Sequence, residues 1–158
     1  MSDKIKVGVS ACLLGRNVRY DGENKLDTLI ADLLGQYVEF VHMCPEVEAG
    51  FGVPREPVTL KGPSDSPRMV TKETGIDITN RVLEWTKKQL EQLEKENLRG
   101  FIFKTKSPSC QLEGVEGVGI FARAFMERFP HIPVIDEVKF RDGQMREAFF
   151  KSVRPGAF

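Results

Sequence analysis

Short runs rich in β-branched and aromatic residues alternate with segments of helical period along this chain, and that alternation sets its fold class. Ile5–Ser10 (IKVGVS), Tyr37–His42 (YVEFVH) and Gly100–Lys104 (GFIFK) read as strands. Ile132–Asp136 (IPVID) reads as a shorter strand; Pro133 has no N–H to give a ladder, which assigns the run to a sheet edge. Between these runs, Leu26–Leu34 places apolar residues at 26, 29, 30, 33 and 34, one face of a helix stopped by Gly35. Ile78–Leu98 sets Val82, Leu83, Leu90 and Leu93 against a face of Lys, Glu and Gln, with Asp77 or Thr79 as its cap. Val118–Phe129, ended by Pro130, and Met145–Val153 read as further helices. Strands separated by helices define βαβ units, and right-handed crossovers leave few topologies for them. The expected fold is α/β: a single domain over residues 1–158 with a mostly parallel, doubly wound (Rossmann/flavodoxin-like) sheet of four to five strands and helices on both faces.

One stretch breaks the rhythm. Residues 50–75 hold Pro54, Pro57, Pro63 and Pro67 among scattered Gly and Ser, too long for a plain connection between a strand and a helix. It reads as a functional loop or hairpin insertion near the site, with arms at Pro57–Leu60 and Arg68–Thr71. Elsewhere composition narrows the partners. Lys and Arg number 23, as do Asp and Glu, and this balance argues against a general nucleic-acid or membrane-surface binder, which needs a basic field. No apolar run approaches the roughly 18–20 residues of a membrane span. The opening residues Met1–Asp3 lead straight toward a strand without a signal-peptide hydrophobic region, so a cytoplasmic protein is expected.

Three cysteines at long spacings, an odd number, make a disulfide framework a poor reading. Their positions say more than their number. Cys12 follows the first strand, Cys44 follows the second, and Cys110 comes six residues after the third. In an open parallel sheet the carboxyl ends of the strands share one edge, where ligands bind at the switch point. The three thiols are therefore expected to meet there. A structural zinc site would want a fourth ligand, and no Cys-x-x-Cys knuckle is present. His42, inside a strand, and His131, between two prolines, are read as ordinary surface or core histidines. A redox pair would need neighbouring cysteines. Three chemistries stay open: an iron–sulfur cluster with three protein thiolates and an open iron, a non-catalytic cluster or sulfide-carrier protein, and a metal-free persulfide sulfurtransferase.

The turns around the thiols add acid–base groups. Cys44-Pro-Glu46 sets a carboxylate two residues from a thiol, and Ser107-Pro-Ser109-Cys110 sets two hydroxyls beside another. Gly114–Gly119 leads into a helix and is expected to offer backbone N–H groups to an anion or a carbonyl oxygen. It lacks the G-x-G-x-x-G spacing of a dinucleotide fingerprint.

Taken together, VSACLLG (9–15) with RYDG (19–22), CPEVE (44–48) with GVPREP (52–57), TGIDIT (74–79), and KSPSC (106–110) with GVGIF (117–121) resemble the thiouracil desulfidase family, in order and over almost the whole chain. The resemblance is to its stand-alone form, without the C-terminal domain that some relatives carry. It implies a 4Fe-4S cluster held by Cys12, Cys44 and Cys110, with the fourth iron open to the thiocarbonyl sulfur of the substrate. Glu46 matches the family's catalytic carboxylate and Ser107 its catalytic hydroxyl; Ser109, the second hydroxyl of that turn, is expected to bind the substrate. The implied reaction is non-redox desulfuration of a thiolated nucleobase, thiouracil-like, to uracil and hydrosulfide. The implied partner is a small thiolated pyrimidine, with thiolated tRNA left open. The chain departs from the family pattern at Gln111 and Ala49, where Gly is common, and in a short 111–117 segment. A pocket wall of different shape is expected there.

Overall fold

In a computed structural model, which describes residues 4–153, six strands follow one another: β1 (Ile5–Ser10), β2 (Val38–Met43), β3 (Val58–Lys61), β4 (Arg68–Thr71), β5 (Gly100–Phe103) and β6 (Val134–Asp136). The helices are α1 (Pro45–Glu48), α2 (Thr79–Glu96), α3 (Ile120–Arg128), α4 (Glu137–Phe140) and α5 (Gly143–Val153). Residues 1–3 and 154–158, the ends of the expected 1–158 domain, lie outside the described residues.

Four strands build one parallel sheet in the order β2-β1-β5-β6. Counting parallel strands alone, this is 2-1-3-4, so the winding direction reverses between β1 and β5, the place where such sheets bind ligands. β6 is an edge strand, as Pro133 foretold, and the Pro133 carbonyl accepts the Phe101 N–H at 3.1 Å. The register pairs Ser10 with Met43 and Val9 with Ile102, which brings the carboxyl ends of β1, β2 and β5 level.

Alternation along the strands divides the core into two layers. Val7, Val9, Val38, Ile102 and Ile135 pack beneath Ile30, Phe140 and Phe149 on one face. On the other face Met43, Phe101 and Phe103 meet Leu90 and Leu93 of α2 and Phe121 and Phe125 of α3. The rings of Phe101 and Phe103 stack with centroids 4.1 Å apart, and both meet Phe125 nearly edge-on. Gly8 makes room for this cluster, since a Cβ there would sit 2.3 Å from the Phe101 ring.

Two details differ from the sequence expectation. The helix expected over 26–34 is a π-helix over Leu29–Leu34, and Leu26 is 51% exposed. Backbone bonds from Lys25 and Asp27 to the carbonyls of Cys12 and Leu13 tie this segment to the preceding turn, and buried Asp27 then caps Ile30, so Leu26 precedes the first helical turn. Leu83, assigned to the apolar side of α2, is exposed, whereas Val82, Leu90 and Leu93 are buried. Asp77 does accept from the Thr79 N–H at 2.9 Å, while the Thr79 hydroxyl accepts from Met69 of β4.

Residues 50–75 contain the hairpin, with β3 and β4 antiparallel from Val58↔Thr71 to Lys61↔Arg68. Leu60 and Met69 pack on Ile78, Val82 and Ile120, which fixes the hairpin to the starts of α2 and α3. It forms a wall of the cleft described next, through Pro57, Val58 and Lys72 near its base.

Candidate active site

Each cysteine is placed by a different local device at the level strand ends. After β1 the chain makes a 3-10 turn over Ala11–Leu14, closed by Gly15 at a φ of 87°, and Cys12 lies within it. After β2, Cys44 is the N-cap of α1, Pro45 takes the first helical position, and the Glu48 carboxylate accepts the Cys44 N–H at 2.7 Å. After β5, Ser107 stabilises the turn holding Cys110: its hydroxyl accepts the Cys110 N–H at 3.1 Å and its carbonyl the Gln111 N–H at 2.9 Å.

That last turn is docked on α3. The N–H groups of Ile120, Phe121 and Ala122 donate to the carbonyls of Pro108 and Ser109, and Gly119 donates to Gln111. This corrects the expectation for the Gly114–Gly119 segment: the helix start is occupied by the chain's own carbonyls and offers no ligand site of the expected kind. Gln111 also proves to be a brace. Its buried side-chain amide donates to the Gly117 carbonyl at 2.7 Å, closing the short 111–117 loop, and it does not line the cleft.

Cys12, Cys44 and Cys110 line one cleft of about 250 Å³ together with Glu46, Ser107 and Ser109. All three thiols are free. Burial raises the pKa of each: Cys12 is pushed up to about 11, Cys110 to about 12, and Cys44 in the same direction. The charge of Cys44 raises Cys12 further, those of Cys44 and Cys12 raise Cys110, and the Lys104 ammonium opposes the rise at Cys12. Among the described residues no group of three or more Cys, His, Asp or Glu side chains closes on a single metal ion. His42 and His131 are exposed and off the cleft; His42 Nε2 lies 3.0 Å from Arg16 Nη2.

The acid–base groups form a connected line. Ser107 Oγ is 3.2 Å from Ser109 Oγ, and the Ser109 hydroxyl, itself 2% exposed, donates to Glu46 Oε2 at 3.3 Å. Glu46 Oε1 accepts from Arg55 Nε at 3.2 Å. Local sequence patterns pass over two of the groups here. Arg55 lies nine residues beyond Glu46 and meets it only through the loop after α1. Lys104 directly follows β5 and pairs at 3.1 Å with Glu137, whose carboxylate also accepts the N–H and hydroxyl of Thr105. The fixed residue spacings of short motifs do not reach such pairs.

Fold and site together define an α/β protein that gathers thiols, a carboxylate and hydroxyls at the switch point of a parallel sheet. The chain belongs to the 2-thiouracil desulfurase family, whose model matches residues 7–137. It is 32% identical over 107 residues to YbbK of Bacillus subtilis (strain 168), a protein described as uncharacterized, and the match covers 65% of this chain and 70% of that one. A solved structure of TudS, a [4Fe-4S]-dependent thiouracil desulfidase, superposes with a TM-score of 0.72 at 31% identity, covering 92% of this chain and 99% of the other. No helix among the described residues is long and apolar enough to cross a membrane.

Proposed function

We propose that this protein removes sulfur from a small thiolated pyrimidine of the thiouracil type, releasing uracil and hydrosulfide, and that Cys12, Cys44 and Cys110 hold a 4Fe-4S cluster. One observation carries the reading: three thiols delivered by three separate strand ends share a cleft with a buried carboxylate–hydroxyl line. The donor set fits the cluster. Thiolates are the protein ligands of iron–sulfur groups, and three cysteines line the walls of this one cavity. With three protein ligands, the group supplies a Lewis-acidic iron position that polarises a carbon–sulfur bond.

The chain's own residues supply proton handling and orientation. Water replaces sulfur at the ring carbon, so one C–O bond forms, one C–S bond breaks, and no electrons are exchanged with an outside donor. A proton has to leave the attacking water, and one is needed as sulfide departs. The Glu46 carboxylate accepts the first, a role worth roughly 10²–10⁴-fold. Ser109 bridges Glu46 Oε2 to Ser107 Oγ, so a proton taken at one end of the line is returned at the other by rotation of two hydroxyls. Ser107, half-buried at the cleft wall, is the end of the line that meets substrate.

A metal-free persulfide sulfurtransferase is the weaker reading. Its chemistry needs one thiolate, which leaves the other two thiols of the cleft without a role. Anaerobic reconstitution tests the proposal. Brown protein with about four irons per chain that turns 2-thiouracil into uracil and hydrosulfide is the expected result. Iron-loaded protein that releases neither product would overturn the desulfidase reading, and a colourless, fully active protein would overturn the cluster.

A further inference from the structure

We infer that Arg55 is a positioning residue that fixes the orientation of the Glu46 carboxylate and ties it to the two loops flanking the cleft; the inference rests on the catalytic role proposed for Glu46. Three bonds from one residue reach three segments. Arg55 Nε donates to Glu46 Oε1 at 3.2 Å, Nη1 donates to the Gly52 carbonyl at 3.2 Å, and the backbone N–H donates to the Tyr20 carbonyl at 2.8 Å. Tyr20 belongs to the Arg19–Gly22 turn and lines the cleft with Arg55.

Both charged side chains of the pair are 11% exposed. An ion pair this far from water contributes little net stability, because desolvation offsets most of its attraction. Its geometry is what it provides. Ser109 holds one oxygen of Glu46 and Arg55 the other, so the carboxylate plane is set from both sides. A carboxylate has about four lone-pair sites, and these two donors leave two for a water or a substrate proton. Arg55 is suited to this where lysine is not: its planar fork reaches Glu46 and the Gly52 carbonyl together, while an ammonium is a single point charge. Displacing either flanking loop therefore turns Glu46 as well.

The test uses reconstituted full-length protein carrying Arg55→Ala or Arg55→Lys. The expected result is a fall in kcat of about a hundredfold in both, with KM within about threefold of wild type and iron content unchanged. Guanidinium at tens of millimolar restores at least about tenfold of the loss in Arg55→Ala but nothing in Arg55→Ala combined with Glu46→Gln. A second measurement needs no cluster: denaturant unfolding of the apo protein in a double-mutant cycle of Arg55→Gln and Glu46→Gln, where the unfolding constants depart from additivity by about tenfold. Wild-type kcat in both Arg55 variants overturns the inference, and so does a loss without guanidinium recovery combined with an additive cycle. If the wild-type protein makes no uracil, the desulfidase reading fails instead, and the apo cycle still decides whether Arg55 and Glu46 act as one unit.

Discussion

Gly119→Ala tests whether the turn carrying Ser107, Ser109 and Cys110 is held in place by its backbone contact with α3. The φ of Gly119 is −59°, a value any residue adopts, so the cost of alanine there is steric and not conformational. A Cβ at this position would stand 2.5 Å from the Ser109 carbonyl carbon, 2.7 Å from the Cys110 nitrogen and 2.7 Å from the Ser109 oxygen. These are backbone atoms, and none can swing aside as a side chain would. Restoring an ordinary contact of 3.4 Å requires the turn and the helix start to part by about 0.9 Å, the difference between 3.4 and 2.5 Å. Overpacking of this kind costs about 1–3 kcal/mol, which for a chain of this size lowers Tm by roughly 2–12 °C. The same separation displaces Ser109 from Glu46 and Cys110 from the other thiols, and a misplacement near 1 Å costs about a hundredfold in rate. Calorimetry, iron content and steady-state release of hydrosulfide from 2-thiouracil measure the three effects. A variant with the melting temperature and turnover of wild type would refute the idea that this contact sets the position of the turn.

The raised thiol pKa values also predict how the apo protein responds to alkali. Below pH 9 the thiols are protonated in folded and unfolded chains alike; from pH 9 to about 12 the unfolded chain ionises them while the folded one resists, so folding stability falls across that window. Urea midpoints flat between pH 9 and 11, or native alkylation at pH 8 as fast as in denaturant, would contradict it. Asp27, 3% exposed, accepts from Ile30 N at 3.1 Å and from Arg141 Nη2 at 3.0 Å, so Asp27→Ala should cost about 2–3 kcal/mol in chemical denaturation. Arg141→Ala leaves that buried carboxylate without its cation and should cost about 1–3 kcal/mol; an Arg141→Ala protein as stable as wild type would show that Asp27 does not depend on the pair. Gln111→Gly should loosen the 111–117 loop at a cost of about 1 kcal/mol while leaving iron uptake intact, and failure to bind iron would mean that the loop, not the Ser107 turn, sets Cys110.

The parts of the fold that local periodicity can express were readable from the chain. Four strands, the hairpin arms and the two longest helices fall within a few residues of their expected positions, because each is set by its own apolar pattern. The Leu26–Leu34 segment shows the limit of that logic: its spacing fits a helical face, but bonds to Cys12 and Leu13 from outside the segment decide where winding starts. The glycine-rich approach to α3 misled in the same way. A helix N-terminus leaves donors free only if nothing else in the fold claims them, and the claimants here are the carbonyls of Pro108, Ser109 and Gln111.

This second case bears on how the site is built. Donors that a nucleotide-binding turn would aim at phosphate are used here to anchor the Ser107–Gln111 turn, so the helix acts on the cleft through Cys110, Ser109 and Ser107 and not through its own dipole. The thiols differ correspondingly in how firmly they are held. Cys110 sits on a turn fastened by four backbone bonds to α3 and its approach and is 4% exposed, whereas the turn of Cys12 is tied to the next segment by two, from Lys25 and Asp27, and Cys12 is only partly buried. In the proposed cluster, partial loss of iron should therefore free Cys12 before Cys110. Mass spectrometry of alkylated peptides after brief chelation measures that order, and equal labelling of the two thiols would show that the α3 anchor does not distinguish them.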